Sequence, residues 1–145
     1  MMYLMLPASD QPPRVAAVSA PRRAVTARKT RTFTHMHRQR LERAVAIYLR
    51  DCYRAQAAAR TSELAARMGV VPQYLSGIAR KILGKPLQLF LREKQLEEAA
   101  RLLIQTPLEV GDIARRSGFG THVSLYRWFL KTHGVAPSAY RELKK

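Results

Sequence analysis

Residues 64–84 recur as residues 113–134, and this repeat limits what the chain can fold into more than any other feature. Leu64-Ala65-Ala66-Arg67-Met68-Gly69-Val70 aligns with Ile113-Ala114-Arg115-Arg116-Ser117-Gly118-Phe119. After one extra residue in the second copy, Leu75, Ile78, Ile82 and Gly84 fall on Leu125, Trp128, Thr132 and Gly134, each 50 positions on. A proline follows in both copies, at Pro86 and Pro137. The shared order of short helix, glycine, apolar residue, longer helix, glycine and proline predicts one local structure built twice.

Each copy has the makings of a helix-turn-helix. A short helix ends at a glycine able to take the left-handed conformation that closes it. An apolar residue, Val70 or Phe119, pins the turn, and a second helix starts three or four residues later. In the second copy Thr121 is placed as N-cap, where its hydroxyl can accept from orphan backbone N–H groups. The first copy has Val71 there, which cannot cap, but Pro72 suits the first helical position and holds Val71 extended.

The rest of the chain adds helices. From His37, Leu41, Ala44, Val45, Tyr48, Leu49 and Cys52 recur at the spacing of one helix face. Residues 86–104 form a second such pattern, with Leu87, Phe90, Leu91, Leu96, Ala99, Leu102 and Leu103 on one side and Gln105-Thr106-Pro107 ending it. Strand-like alternation is absent. The expected fold is all-α: two helix-turn-helix (homeodomain-like) subdomains joined by a linker helix, about seven helices in total. The boundaries are 37–85 for the first subdomain, 86–104 for the linker helix and 107–145 for the second. Residues 1–36 precede them as a disordered basic arm, because 7–34 combine four prolines with few large apolar residues and no sustained period.

A step of 100° per residue turns Leu75, Ile78, Ala79 and Ile82 inward on the second helix of copy one, and Leu125, Trp128, Phe129 and Thr132 in copy two. The opposite faces carry Gln73, Ser76, Gly77 and Arg80, and His122, Val123, Ser124, Tyr126, Arg127 and Leu130. An outward face with Gln and Arg matches the donor and acceptor edges of base pairs in a major groove. The candidate base contacts are therefore Gln73, Ser76, Arg80, His122, Val123, Ser124, Tyr126 and Arg127. Arg127 can fork to guanine O6 and N7, pair with phosphate, or lie solvated; Val123 can meet a thymine methyl. Lys81, Lys85, Arg115, Arg116 and Lys131 are the candidate phosphate contacts near helix ends, the other reading being an ordinary solvated basic surface.

The charge agrees without choosing the partner. Lys plus Arg number 26 against 10 Asp plus Glu, a formal +16. Such a balance draws nucleic acid, an anionic membrane surface or acidic protein alike. Both parts are basic, with eight cations against one acid over residues 1–40 and eighteen against nine over 41–145. The arm reads either as a basic segment lying along phosphates or in a minor groove, or as an unstructured leader; its acid-poor stretch 13–40 also has the composition of an organelle transit peptide. The lone Cys52 excludes an intrachain disulfide framework, fits a reducing cytosol, and lies on the apolar stripe, so a packed thiol is expected. No apolar run approaches the ~20 residues of a membrane span, so a soluble, cytoplasmic, nucleoid-associated protein is expected.

With these residues in view, the chain from about Thr61 to Arg141 resembles the C-terminal DNA-binding domain of the AraC/XylS transcription regulators. The likeness is densest in Asp112-Ile113-Ala114 through Gly118-Phe119, Arg127-Trp128-Phe129, Gly134-Val135-Ala136-Pro137-Ser138 and Tyr140-Arg141. The resemblance implies two subdomains on a rigid linker helix, with the reading helices in adjacent major-groove segments about one DNA turn, roughly 34 Å, apart. One chain then covers a site alone, and a monomer is the expectation. Val71, Gly77, Ala79 and Gln95 depart from the usual capping Ser, base-contacting side chain, core Phe and linker Arg. These departures give the second unit, with Arg127, the larger share of sequence reading.

No nucleophile motif, Gly-rich phosphate loop or activated carboxylate pair is present, so neither catalysis nor a cofactor is expected. His35-x-His37 has metal-like spacing but no third ligand nearby, and no metal is expected. The competing class is an interaction protein of the same fold that occupies RNA polymerase or another regulator. Gly77, the exposed Leu130 and the weak first cap motivate that alternative. RNA binding comes last, for want of an exposed aromatic platform.

Overall fold

The computed structural model describes the backbone of residues 20–145 and the side chains of residues 37–145. Seven helices and no strand occur among the described residues: α1 (Ala20–Ala55), α2 (Thr61–Arg67), α3 (Pro72–Leu83), α4 (Leu87–Gln105), α5 (Val110–Arg116), α6 (His122–His133) and α7 (Pro137–Leu143). The repeat is reproduced in length: α2 and α5 have 7 residues each, α3 and α6 have 12 each.

The boundary of α1 differs from expectation. Its backbone is helical from Ala20, where a disordered arm was expected as far as residue 36. Residues 22–40 are rich in arginine and contain no glycine or proline, so intrinsic propensity permits a helix there. Pro21 falls in the first turn, where its missing N–H is harmless. The rest of the expected arm, residues 1–19, lies outside the described residues.

Two cores form, and α4 serves both. Leu41, Val45, Tyr48, Leu49 and Cys52 of α1 pack with Leu64, Val70, Leu75, Leu83 and the first half of α4, Leu87, Phe90 and Leu91. The second half of α4, Leu96, Ala99, Leu102 and Leu103, packs with Ile113, Phe119, Leu125 and Phe129. Burial of Cys52 pushes its thiol above the usual range, so it is a packed, protonated core side chain.

The inner faces of the longer helices end differently from expectation. Leu83 is buried and Ile82 half-buried. In the second copy Thr132, expected inside, is exposed, and so is His133, although its ring lies 4.3 Å from the Phe129 ring centroid and 5.1 Å from that of Tyr140. Leu83 thus closes the inner face of α3, whereas the last turn of α6 has no buried counterpart and ends with the His133 ring lying over Phe129 at the surface.

The polar ends are tied down by side chains from elsewhere in the chain. Arg141 of α7 donates to the carbonyls of Leu103, Thr106 and Leu108 at 2.9, 3.2 and 2.6 Å, meeting oxygens at and beyond the C-terminus of α4 that would otherwise lack partners. Tyr48 ties α1 to the start of α2 through the Arg60 backbone and Glu63. No helix among the described residues is long and apolar enough to cross a membrane.

Candidate nucleic-acid interface

Both turns take the expected form. Gly69 and Gly118 have φ of +70° and +77°, the left-handed region that other residues enter at a cost. The starts of the following helices differ as their sequences do. The Thr121 hydroxyl accepts from the Ser124 N–H at 3.2 Å, whereas Val71 offers no side-chain cap and α3 begins on Pro72 in its first turn.

On α3, Gln73, Ser76, Gly77, Arg80 and Lys81 are exposed together. On α6, His122, Val123, Tyr126, Arg127, Leu130 and Lys131 are exposed, with Val123 at 57%, Tyr126 at 40% and Leu130 at 42%. Ser124 is half-buried at the capped first turn. The His122 and Tyr126 rings lie 6.2 Å apart on the outer face. The second helix thus shows an apolar and aromatic surface around Arg127, where the first shows small and polar side chains.

Charge separates along the same lines. Neither α3 nor α6 contains an acidic residue. Among the described residues, Arg80, Lys81, Arg116, Arg127 and Lys131 have no ion-pair partner, and Lys131 instead lies 5.2 Å from the Trp128 ring centroid. Two of the candidate phosphate contacts are placed differently. Lys85 is held by Glu93 at 2.7 Å and Arg115 pairs with Asp112, so an incoming phosphate must compete with a carboxylate at both. Arg67, Arg101 and Lys94 are likewise paired, with Asp51, Glu98 and Glu97. Other cations of the described chain, Arg40, Arg43, Arg50 and Arg54 of α1 among them, are unpaired too, so what sets α3 and α6 apart is that neither carries an acid beside its free cations.

Beneath α6 sits a residue that the sequence reading passed over. Arg92 of α4 lies half-buried, its guanidinium 5.4 Å from the Phe119 ring centroid and 5.8 Å from that of Trp128. Its burial disfavours the charge and lowers its pKa from the usual range. It props the turn and the inner side of α6 from below. Gln95, one turn further along α4, is 1% exposed and donates from Nε2 to the Gly118 carbonyl at 2.6 Å. A signal for it existed: Gln95 falls on the apolar stripe four residues from both Leu91 and Ala99, and a polar residue on a buried stripe needs a polar partner. No group of three or more His, Cys, Asp or Glu among the described residues is placed to hold a metal ion, and the side chain of His35 lies outside them.

Comparison with known proteins places this arrangement. A family described as a helix-turn-helix domain matches residues 64–143, more than half of the chain. The chain is 35% identical over 79 residues to the HTH-type transcriptional activator AarP of Providencia stuartii, covering 54% of this chain and 58% of AarP. It is 33% identical over 89 residues to the HTH-type transcriptional regulator Rv1931c of Mycobacterium tuberculosis, covering 61% of this chain but 34% of that protein. The match thus spans less than two thirds of either relative. Among solved structures, the DNA-binding domain of the global transcriptional factor AdpA in complex with a target DNA is similar at a TM-score of 0.63 and 27% identity, over 71% of this chain and 90% of that one. The C-terminal domain of AraT, a response regulator from Geobacillus stearothermophilus, is similar at a TM-score of 0.63 and 30% identity, over 70% of this chain and 83% of that one. With two helix-turn-helix units on one linker helix and these matches, the chain belongs to the AraC/XylS family of transcription regulators.

Proposed function

We propose that this chain binds duplex DNA sequence-specifically as a transcription regulator, with α3 and α6 in adjacent major-groove segments. The observation that carries this reading is that the two equivalent helices of the repeat both turn outward an acid-free face whose cations have no partner within the described chain. The similarity to AdpA, whose DNA-binding domain was solved with its target DNA, supports the partner.

In this reading Gln73, Ser76 and Arg80 of α3, and His122, Val123, Ser124, Tyr126 and Arg127 of α6, face base edges. Arg127 makes the bidentate contact to guanine, and Val123 meets a thymine methyl. Arg116, Lys81 and Lys131 hold phosphates directly; Lys85 and Arg115 do so after exchanging their carboxylates. Two reading helices on one chain make a monomer sufficient.

The test is a salt series of duplex binding by the wild type and Arg127→Ala, using DNA selected from a random pool and a scrambled control. The expected result is a preference of about 10³-fold or more for the selected duplex, much reduced by Arg127→Ala with the salt slope kept. Equal binding of both duplexes, with Arg127→Ala altering the salt slope alone, overturns it. The 42% exposure of Leu130 on the outer face of α6 favours one second reading, in which that face docks on RNA polymerase or another regulator. Regulation that survives Arg127→Ala and is abolished by Leu130→Lys identifies that case.

A further inference from the structure

The two turns of the repeat share a backbone conformation and differ in what surrounds them. Gly69 is exposed, and a Cβ built there meets nothing within 4 Å. At Gly118 a Cβ would lie 2.8 Å from Gln95 Nε2 and 3.4 Å from the Tyr53 ring, and at Gly120 it would lie 3.1 Å from the Ala58 Cβ. The second turn is thus pressed against α1, α4 and the α1–α2 connector. The first has open space where it would touch a neighbour.

The contact is polar at its centre. The Gly118 carbonyl accepts from Gln95 Nε2 at 2.6 Å and from the Ala59 backbone N–H at 3.0 Å, which occupies both of its lone pairs. One donor comes from the linker helix and the other from the segment that leads into α2 of the first unit. Gln95 is fixed in turn, its Oε1 accepting from Arg92 Nη1 at 3.3 Å. It also falls where the two cores part, after Leu91 of the first and immediately before Leu96 of the second. Apolar packing holds each unit together and α4 runs through both, and this buried clasp adds a second, polar tie between them at the junction, a few residues before α6 begins.

We infer that the Gly118 carbonyl, gripped by Gln95 and Ala59, locks α3 and α6 at one separation and angle, so that the protein reads the spacing of its two half-sites as well as their sequence. Gln95 is a positioning residue in this arrangement and touches no DNA. The inference rests on the proposed DNA-binding function for its consequence, although the lock itself is a property of the free protein. Each inserted base pair moves one half-site by about 3.4 Å and turns it by about a tenth of a helical turn. A locked pair of helices cannot follow such a shift without losing contacts in one groove. A loosely joined pair can.

Two measurements on the full chain separate the lock from the DNA reading. Backbone residual dipolar couplings of the free wild type should fit one alignment tensor for α3 and α6, and those of Gln95→Met, which fills similar volume without a donor, should require two. Duplexes carrying the selected half-sites with one or two base pairs inserted between them should bind the wild type about tenfold or more weakly than the native spacing, on the scale of a lost base contact. Gln95→Met should cut that penalty to about threefold or less while binding a single half-site within about twofold of wild type. A single tensor and an unchanged spacing penalty in folded Gln95→Met overturn the inference. So does a wild type that needs two tensors or ignores the inserted base pairs, which decides the matter even where the variant fails to fold. If the wild type shows no preference for any selected duplex, the DNA reading fails, and the dipolar couplings still judge the lock.

Discussion

The Tyr48 hydroxyl accepts a hydrogen bond from the backbone N–H of Arg60, the N-cap residue of α2, at 2.8 Å, and so pins the start of a helix that has no side-chain cap of its own. The same hydroxyl lies 2.9 Å from Glu63 Oε2 and 3.1 Å from the Arg60 carbonyl, and burial raises its pKa so that it stays protonated. Tyr48→Phe keeps the ring in the core and leaves the Arg60 N–H without its partner. The expected loss is about 1–3 kcal/mol of stability, read as a lowered midpoint in chemical denaturation. An unchanged midpoint counts against this anchoring role.

Arg141 acts at the far end of the molecule. Its three carbonyl acceptors anchor α7 over the end of α4. Arg141→Ala is expected to cost about 1.5–3 kcal/mol, since these are hydrogen bonds from a charged donor. Arg141→Lys should recover less than half, because an ammonium cannot reach divergent acceptors as a planar fork does. Equal midpoints for the Lys variant and the wild type would contradict this.

His133 introduces a pH dependence. Packing against Phe129 and Tyr140, then the nearby Lys144, lower its pKa from the usual 6.5. The unfolded chain binds that proton more tightly than the folded one, so the stabilising effect is whole above about pH 6.5 and is lost as pH falls below it. Thermal midpoints from pH 7.5 to 5 should show this decline in the wild type. The part owed to this ring should be missing in His133→Gln.

Arg116 and Arg127 should separate the two kinds of DNA contact. Arg116→Ala is expected to weaken binding to all duplexes and reduce the salt slope by about 1. Arg127→Ala should lose about 1–3 kcal/mol of discrimination at one base position with the slope kept. Identical behaviour of the two variants in a salt series would remove the distinction drawn between them.

Gln56 ends α1 at φ +53°, with the Ala57 N–H donating to the Cys52 carbonyl at 3.0 Å. A left-handed residue with a side chain is strained by about 1–2 kcal/mol, against a smaller entropic cost for glycine. Gln56→Gly should therefore raise the unfolding midpoint slightly, and a fall would show that the side chain holds the turn.

Much of this architecture is legible in the sequence because the repeat marks its own boundaries. Gly69 with Gly118, and Gly84 with Gly134, delimit helices whose lengths agree copy for copy. The apolar stripe from Leu41 to Cys52 and that of α4 are buried as their spacing requires. The inward placing of Thr132 failed because the last turn of α6 runs past the packed part of its core face, leaving both Thr132 and His133 exposed, which a helical period alone does not reveal. The start of α1 was hidden because Ala, Arg and Lys favour a helix without leaving an apolar period. The Arg115–Asp112 pair was readable from its spacing of three residues, unlike the Lys85–Glu93 pair, which spans the bend from α3 into α4. The clasp on Gly118 joins residues 23 and 59 positions apart, a separation that carries no periodic signal.

The division of the interior into two cores gives the single cysteine a use. Cys52 is 4% exposed within the first core and its thiol is held protonated by burial. A thiol reagent must therefore wait for that half of the molecule to open, and its rate of attack clocks the opening of the first unit while the second remains unseen.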